Sequence, residues 1–252
     1  TYSKAVLGRI SPRTRIVMID AVTSPTALVV PFAEIADELE PDVTVLVDAA
    51  HAPGMIQLDL DSLGASYVVG NCHKWLCAPK SAGFLYARED RRKGLLPATI
   101  SHGWNTDPAT DRSRYHHLFD WTGTDDPSAQ LSVPAAIDTM ADMEPDGWPG
   151  IMQRNSELAL AGRTLLCDVL GLDPGVPGDE IGSMVTILLP GDSPAAFGEM
   201  DPLTVTMREN WQIEVPVFPW QDWPGRLLRI SAQAYNEIAD FDHLATALRS
   251  VL

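Results

Sequence analysis

The sequence predicts an α/β fold in which a mainly parallel sheet domain is followed by a smaller α+β domain. Two observations carry that expectation. In the first half, short unbroken apolar runs alternate with helix-spaced segments, the pattern of parallel strands covered on both faces. From Pro127 the texture changes, and a helix–strand–helix–strand–strand–helix order follows. The boundary is placed between residues 135 and 136, giving a large domain over 1–135 and a small one over 136–252.

Each element has a local reason. Arg15–Asp20 (RIVMID) is an apolar run ending in an acid, and Pro31–Leu39 carries apolar residues at 32, 35, 36 and 39, a helical spacing. Val43–Val47 (VTVLV) is β-branched and apolar, closed by Asp48. Leu58–Leu63 and Tyr67–Val69 continue the series of runs, and GFLYA at 83–87 reads as a further strand. Residues 128–144 and 153–170 read as helices. Pro134 should kink or split the first, while Leu158, Ala161, Leu165 and Val169 line one face of the second. Beyond the Gly/Pro-rich GLDPGVPGDE, MVTILLP (184–190) is a strand and 201–211 a helix. IEVPVF (213–218) and RLLRIS (226–231) follow as strands. The closing DFDHLATALRSVL is a helix with Phe241, Leu244, Leu248 and Val251 on one side.

Composition excludes several classes. With 45% hydrophobic and 21% charged residues in 252, the chain reads as folded rather than disordered. A net charge of −16 argues against nucleic acid or an anionic membrane as partner. Three cysteines (Cys72, Cys77 and Cys167) make no even disulfide framework, which fits a reduced, cytoplasmic setting. The sequence shows no bilayer-length apolar run and no signal-peptide pattern. It begins at Thr1, and TYSKAVLGRISPRTRIVMID reads like the middle of a domain, so an upstream portion is expected to be missing.

The chemistry concentrates in GNCHKWLCAPKSAGFLYAR, residues 70–88. Lys74 is one of only four lysines against fourteen arginines, and it follows a strand expected to be buried. Its stem could simply cover Trp75 with the ammonium in water. Alternatively it is a Schiff-base lysine, which must lose its proton to attack an aldehyde and gains from burial. Asp48 could cap the segment after its strand. Yet a pyridoxal phosphate site needs this pair: a lysine for the aldehyde and an acid at the pyridine nitrogen. In open α/β sheets both would project from strand carboxyl ends. Cys72 and Cys77 lack a second pair that would make a metal site and are expected to be buried thiols.

VDAAHAPG (47–54) with GNCHKWLCAPKSAGFL (70–85), the HGW at 102–104, FDWTGTDDPSA (119–129) and LRISAQAYN (228–236) occur in order. Together they resemble the pyridoxal-phosphate-dependent class V aminotransferase family, in its isopenicillin N epimerase-like branch. The resemblance covers the middle and C-terminal parts of longer relatives and implies fold type I, pyridoxal phosphate as cofactor, a small amino-acid substrate and a homodimer. It implies that Lys74 bonds the cofactor, Asp48 pairs with the pyridine nitrogen and His51 sits by the phenolic oxygen. Asn71 and His73 would contact the phosphate, and Thr23, in VTSPTA, would face the ring oxygen or the substrate. Gly123 and Thr124 would reach the phosphate of the neighbouring subunit, Arg229 would hold the substrate carboxylate, and Trp104 would stand at the substrate rim.

Blander roles remain open for several of these. His51 and His73 could be core histidines bonded to carbonyls, Asn71 and Thr124 turn residues, Arg229 a surface charge, and Trp104, Trp121, Trp220 and Trp223 packing. Ala21 stands where many relatives have His, and Ser81 replaces a common glycine. The expected activity is at the α-carbon of an amino-acid-like substrate, epimerase-like, with C–S lysis of a cysteine conjugate or transamination as alternatives. A further alternative is an incomplete subunit that needs a partner for its N-terminal cofactor elements. Persulfide-forming desulfuration is disfavoured, because residues 210–228 contain no cysteine and Cys167 falls in a helical stretch.

Overall fold

A computed structural model describes residues 1–107, 112–196, 198–220 and 223–252, with only the backbone described at 223 and 224. After a short helix α1 (Tyr2–Leu7), strand β1 (Ile16–Asp20), helix α2 (Phe32–Leu39), and strands β2 (Thr44–Ala49), β3 (Tyr67–Asn71) and β4 (Gly83–Ala87) follow. They form one sheet in the order β1-β2-β3-β4. The first three strands run parallel, and β4 pairs antiparallel with β3. Alternation fixes the packing: Val45, Val47, Ala49 and Val68 are fully buried on one face. Phe32, Ile35, Ala36 and Leu39 of α2 belong to the same core. Each buried Val, Leu, Ile or Phe side chain among them contributes about 1.5–3 kcal/mol of transfer free energy.

The opposite face of this sheet has a different character. It carries Ile16, Met18, Leu46, Asp48, Val69 and Asn71, as the strand registers require. Ile16 is 57% and Met18 63% exposed, so within the described residues this face is largely open.

Beyond β4 come helices α3 (Arg114–Phe119), α4 (Ser128–Leu131), α5 (Val133–Ala141) and α6 (Gly147–Leu170). Strand β5 (Met184–Leu189), helix α7 (Pro202–Trp211), strands β6 (Val217–Trp220) and β7 (Trp223–Ser231), and helix α8 (Ile238–Val251) complete the chain. The second sheet is antiparallel, in the order β5-β7-β6. It shares a second core with α6, α7 and α8, built on Leu166, Val185, Ile187, Met207, Leu228 and Leu248. Capping is local and complete at three ends. Gly171 ends α6 at φ 66°, Asp201 accepts from Leu203 N–H at the start of α7, and Glu237 with Asp240 forms a capping box on α8.

The structure corrects several sequence expectations. Leu58–Leu63 is no strand, because the Asp59 carboxylate accepts from the N–H groups of Asp61 and Ser62 and turns the chain there. The split expected of the 128–144 helix at Pro134 is present, as α4 ends at Leu131 and α5 starts at Val133, with Pro134 in its first turn, where a missing N–H costs nothing. The helix expected from 153 already begins at Gly147, since Pro149 is also tolerated in a first turn. IEVPVF is extended only at its end; β6 starts at Val217 and includes Pro219, which its edge position allows. We propose the 135/136 division as the domain boundary. The two separate cores support it, although α5 spans it.

Candidate active site

The site residues sit where β2 and β3 end. Asp48 is the penultimate residue of β2, and its Oδ1 accepts from the Ala50 N–H at 2.9 Å, fixing the turn that brings round His51. Asp20 lies level with Asp48 on β1, and burial together with the Asp48 charge raises its pKa. Gly54, at φ 84°, lies against the Trp75 main chain, where a Cβ would fall 2.8 Å from the carbonyl. Only glycine lets the His51 turn approach the segment after β3 so closely.

That approach puts His51 between Lys74 and Trp75. Lys74 Nζ is 3.1 Å from His51 Nε2, and the Trp75 indole N–H donates to His51 Nδ1 at 3.4 Å. Burial lowers the His51 pKa to about 4, with the charges of Lys74 and Arg229 adding to it. The Lys74 amine is also lowered, first by burial and further by Arg229, against an upward pull from Asp48. These groups therefore feel one another across the two cores.

Arg229 comes from β7, level with Thr186 of β5. Its Nη1 donates to the Ser24 carbonyl at 2.7 Å and to the Ser24 hydroxyl at 3.1 Å, and its guanidinium lies 5.5 Å from the Phe218 ring. Burial lowers its pKa. Its Nε is buried without a hydrogen-bond partner. Thr186 anchors the same loop by donating to the Pro25 carbonyl at 2.7 Å.

Other expected site residues are placed differently. Asn71 and Asp48 line a cavity of about 450 Å³ with Ser81, Gly83 and Leu85. His73 is bonded through Nδ1 to the Ala82 carbonyl at 2.8 Å. Thr23 Oγ1 accepts from the Leu28 N–H at 2.9 Å and pairs with the Thr26 hydroxyl, so it shapes its own loop. Gly123 lines a neighbouring cavity that shares Gly83, Phe84 and Leu85 with the first, and Thr124 is exposed. Trp104 is half-exposed under the Arg114 guanidinium, 5.3 Å from it. The Trp223 side chain lies outside the described residues. Cys72 is buried as expected, and so is Cys167, whereas Cys77, expected to be buried, is exposed, with a left-handed backbone (φ 57°).

Three residues escaped the sequence reading. Ser24 anchors Arg229. Gln233 donates to the Trp75 carbonyl at 3.3 Å and accepts from Asn155 Nδ2 at 2.8 Å, and both amides are buried. Ser24 and Gln233 lay inside quoted motifs, but amides and hydroxyls announce no partner. Asn155 could have been suspected, as a polar residue among the apolar positions of a helix.

A partly buried amine and a carboxylate near adjoining strand ends suit an aldehyde cofactor with a basic ring nitrogen, and the 450 Å³ cavity beside Asp48, which Lys74 does not line, is of ligand size. This is the layout of a pyridoxal-phosphate fold, with ligands outside the carboxyl ends of the strands. The chain belongs to the aminotransferase class-V family, whose model matches residues 2–171. The cofactor of that family is pyridoxal phosphate.

The chain is 34% identical over 259 residues to an isopenicillin N epimerase of Amycolatopsis lactamdurans, covering 98% of this chain and 63% of that protein. It is 31% identical over 254 residues to a probable chloroplastic L-cysteine desulfhydrase of Arabidopsis thaliana, covering 95% and 51%. Among solved structures, a cystine C–S lyase in complex with cysteine persulfide superposes with a TM-score of 0.77 at 20% identity, covering 98% and 64%. The chain thus spans roughly half to two thirds of the length of these relatives. Among the described residues no helix is long and apolar enough to cross a membrane.

Proposed function

We propose that this chain carries the lysine, the ring-nitrogen acid and the carboxylate-binding arginine of a pyridoxal-phosphate-dependent enzyme working at the α-carbon of an amino-acid-like substrate. The observation behind it is the 3.1 Å contact between Lys74 and His51, in a site where burial lowers the pKa of both groups. When bound, pyridoxal phosphate supplies an electron sink for the pair left when a bond to the α-carbon breaks. Lys74 would hold it covalently and afterwards take and return the α-proton. Asp48 would keep the ring nitrogen protonated, and Asn71 and His73 would hold the phosphate end. Arg229, with its unpartnered Nε, would receive the α-carboxylate through the paired donors that only a guanidinium offers.

Within this class the reading is an isopenicillin N epimerase-like reaction, to which the 34% identity gives support. C–S lysis of a cysteine conjugate is the second reading, favoured by the similarity to a probable L-cysteine desulfhydrase. The absence of cysteine from residues 210–228 argues against persulfide-forming desulfuration. We further propose a cytoplasmic homodimer in which Gly123 and Thr124 serve the partner's cofactor. The open face beside Asp48 and Asn71 supports completion of the site by further polypeptide.

Borohydride reduction after pyridoxal phosphate is added, followed by peptide mapping, should place the label on Lys74. A label on Lys4, Lys80 or Lys93 would defeat the assignment. With an active preparation, deuterium uptake at Cα without loss of the side chain marks epimerisation, and release of a thiol with a keto acid marks lysis. Asp48→Asn should retain the cofactor and lose most turnover; near-normal turnover would leave Asp48 as a turn cap alone.

A further inference from the structure

We infer that Trp75 is a positioning residue: its indole N–H fixes the tautomer of His51, and His51 in turn holds Lys74 as an uncharged amine. An indole nitrogen can only donate. His51 Nδ1, 3.4 Å from Trp75 Nε1, must therefore present a lone pair. A neutral imidazole with an unprotonated Nδ1 carries its proton on Nε2. That N–H points at Lys74 Nζ, 3.1 Å away, so the amine must accept. Only the uncharged amine has a lone pair with which to do so. A charged Lys74 would need Nε2 as its acceptor and would leave the ring with no proton at all. An imidazolium would have nothing to offer the indole, and it would stand beside two cations.

The surroundings agree with this assignment. The charged groups acting on the pair are Asp48 and Arg229. Burial lowers both His51 and Lys74, and Arg229 lowers both further. Trp75 is itself immobilised: it is 7% exposed, packs with Val22, Ala27, Met55 and Met184, and its carbonyl accepts from the buried Gln233. The protonation pattern stands on geometry alone. Its use, to keep the amine ready for an aldehyde, rests on the proposed function.

The test uses the full chain without added cofactor. Long-range nitrogen–proton NMR of the histidine rings should show His51 in the Nε2–H tautomer at pH 7, and the Nδ1–H tautomer would overturn the inference. Trp75→Phe keeps an aromatic ring and deletes the donor, which frees His51 to accept from an ammonium. In ¹³Cε-lysine titrations, where only four lysines contribute, Lys74 should then titrate about one pH unit higher, the scale of one lost hydrogen bond. An unchanged Lys74 titration in a folded Trp75→Phe protein would also overturn the inference. If that variant does not fold, the wild-type tautomer decides. An Nε2–H His51 in a protein whose cofactor label misses Lys74 would defeat the proposed function and leave this inference standing; the converse pair of results would do the reverse.

Discussion

Arg229 occupies an unusual position for an arginine, because one nitrogen is spent on Ser24 while Nε is buried and unpartnered. A bidentate bond to a carboxylate in such a place is worth about 1.5–3 kcal/mol. Arg229→Lys should therefore weaken substrate binding roughly tenfold or more while leaving cofactor attachment at Lys74 intact. Titrating amino acids against the cofactor absorbance of both proteins measures this, and equal affinities would remove Arg229 from the site.

His51 predicts a pH effect on stability. Its native pKa of about 4 lies below the ordinary value of 6.5, so between these limits the unfolded chain binds a proton that the native protein does not. Its contribution is full above about pH 6.5, is lost as the pH falls toward 4, and is constant below. The melting temperature of wild type minus that of His51→Gln should fall over this window, and a flat difference would show that His51 is not held neutral. At this scale the positions were legible: Lys74 follows a strand, Asp48 lies near a strand end, and Arg229 shares a strand face with Leu227 and Ser231. It could not disclose Trp75 as a donor or Gln233 as a brace, because each acts through a partner distant in sequence.

The helices and strands bear a different kind of prediction. Gly162 lies in the middle of α6, and a Cβ there would stand 2.8–3.0 Å from the Phe241 ring of α8. Gly162→Ala should gain about 1 kcal/mol in helix propensity and lose about 1–3 kcal/mol to overpacking. The net effect expected is a lower melting temperature; a rise would mean that α8 can shift without cost. Element type was legible wherever periodicity ran long, as in α2, α6 and α8, although α6 buries Ile151, Asn155, Ala159, Gly162 and Leu166 rather than the expected face of Leu158, Ala161, Leu165 and Val169. It failed where side chains competed for the backbone or a turn intervened. The Asp59 carboxylate captured two N–H groups from an apolar run. Gln212, left-handed at φ 57°, ended α7 and delayed β6 by four residues beyond the strand expected from Ile213.

The whole molecule is two cores joined by a small apolar cluster around Trp75 and Met184 and by polar ties at Ser24, Pro25 and Trp75. The division into domains that the change of texture at Pro127 suggests remains our proposal, supported by the two separate cores. The open side of the first sheet was not, because Ile16 and Met18 have the same apolar character as the buried residues beside them. An apolar dye should bind the native protein there, and Met18→Glu should reduce its fluorescence severalfold; undiminished binding would place the apolar surface elsewhere. That open side also has a colloidal consequence. Apolar surface draws copies together, while a charge of −16 drives them apart. The electrostatic reach shrinks from about 30 Å at 0.01 M salt to about 3 Å at 1 M. The osmotic second virial coefficient should therefore fall from positive to negative as salt rises, so that dilute buffer, rather than the shape of the surface, keeps the molecules dispersed.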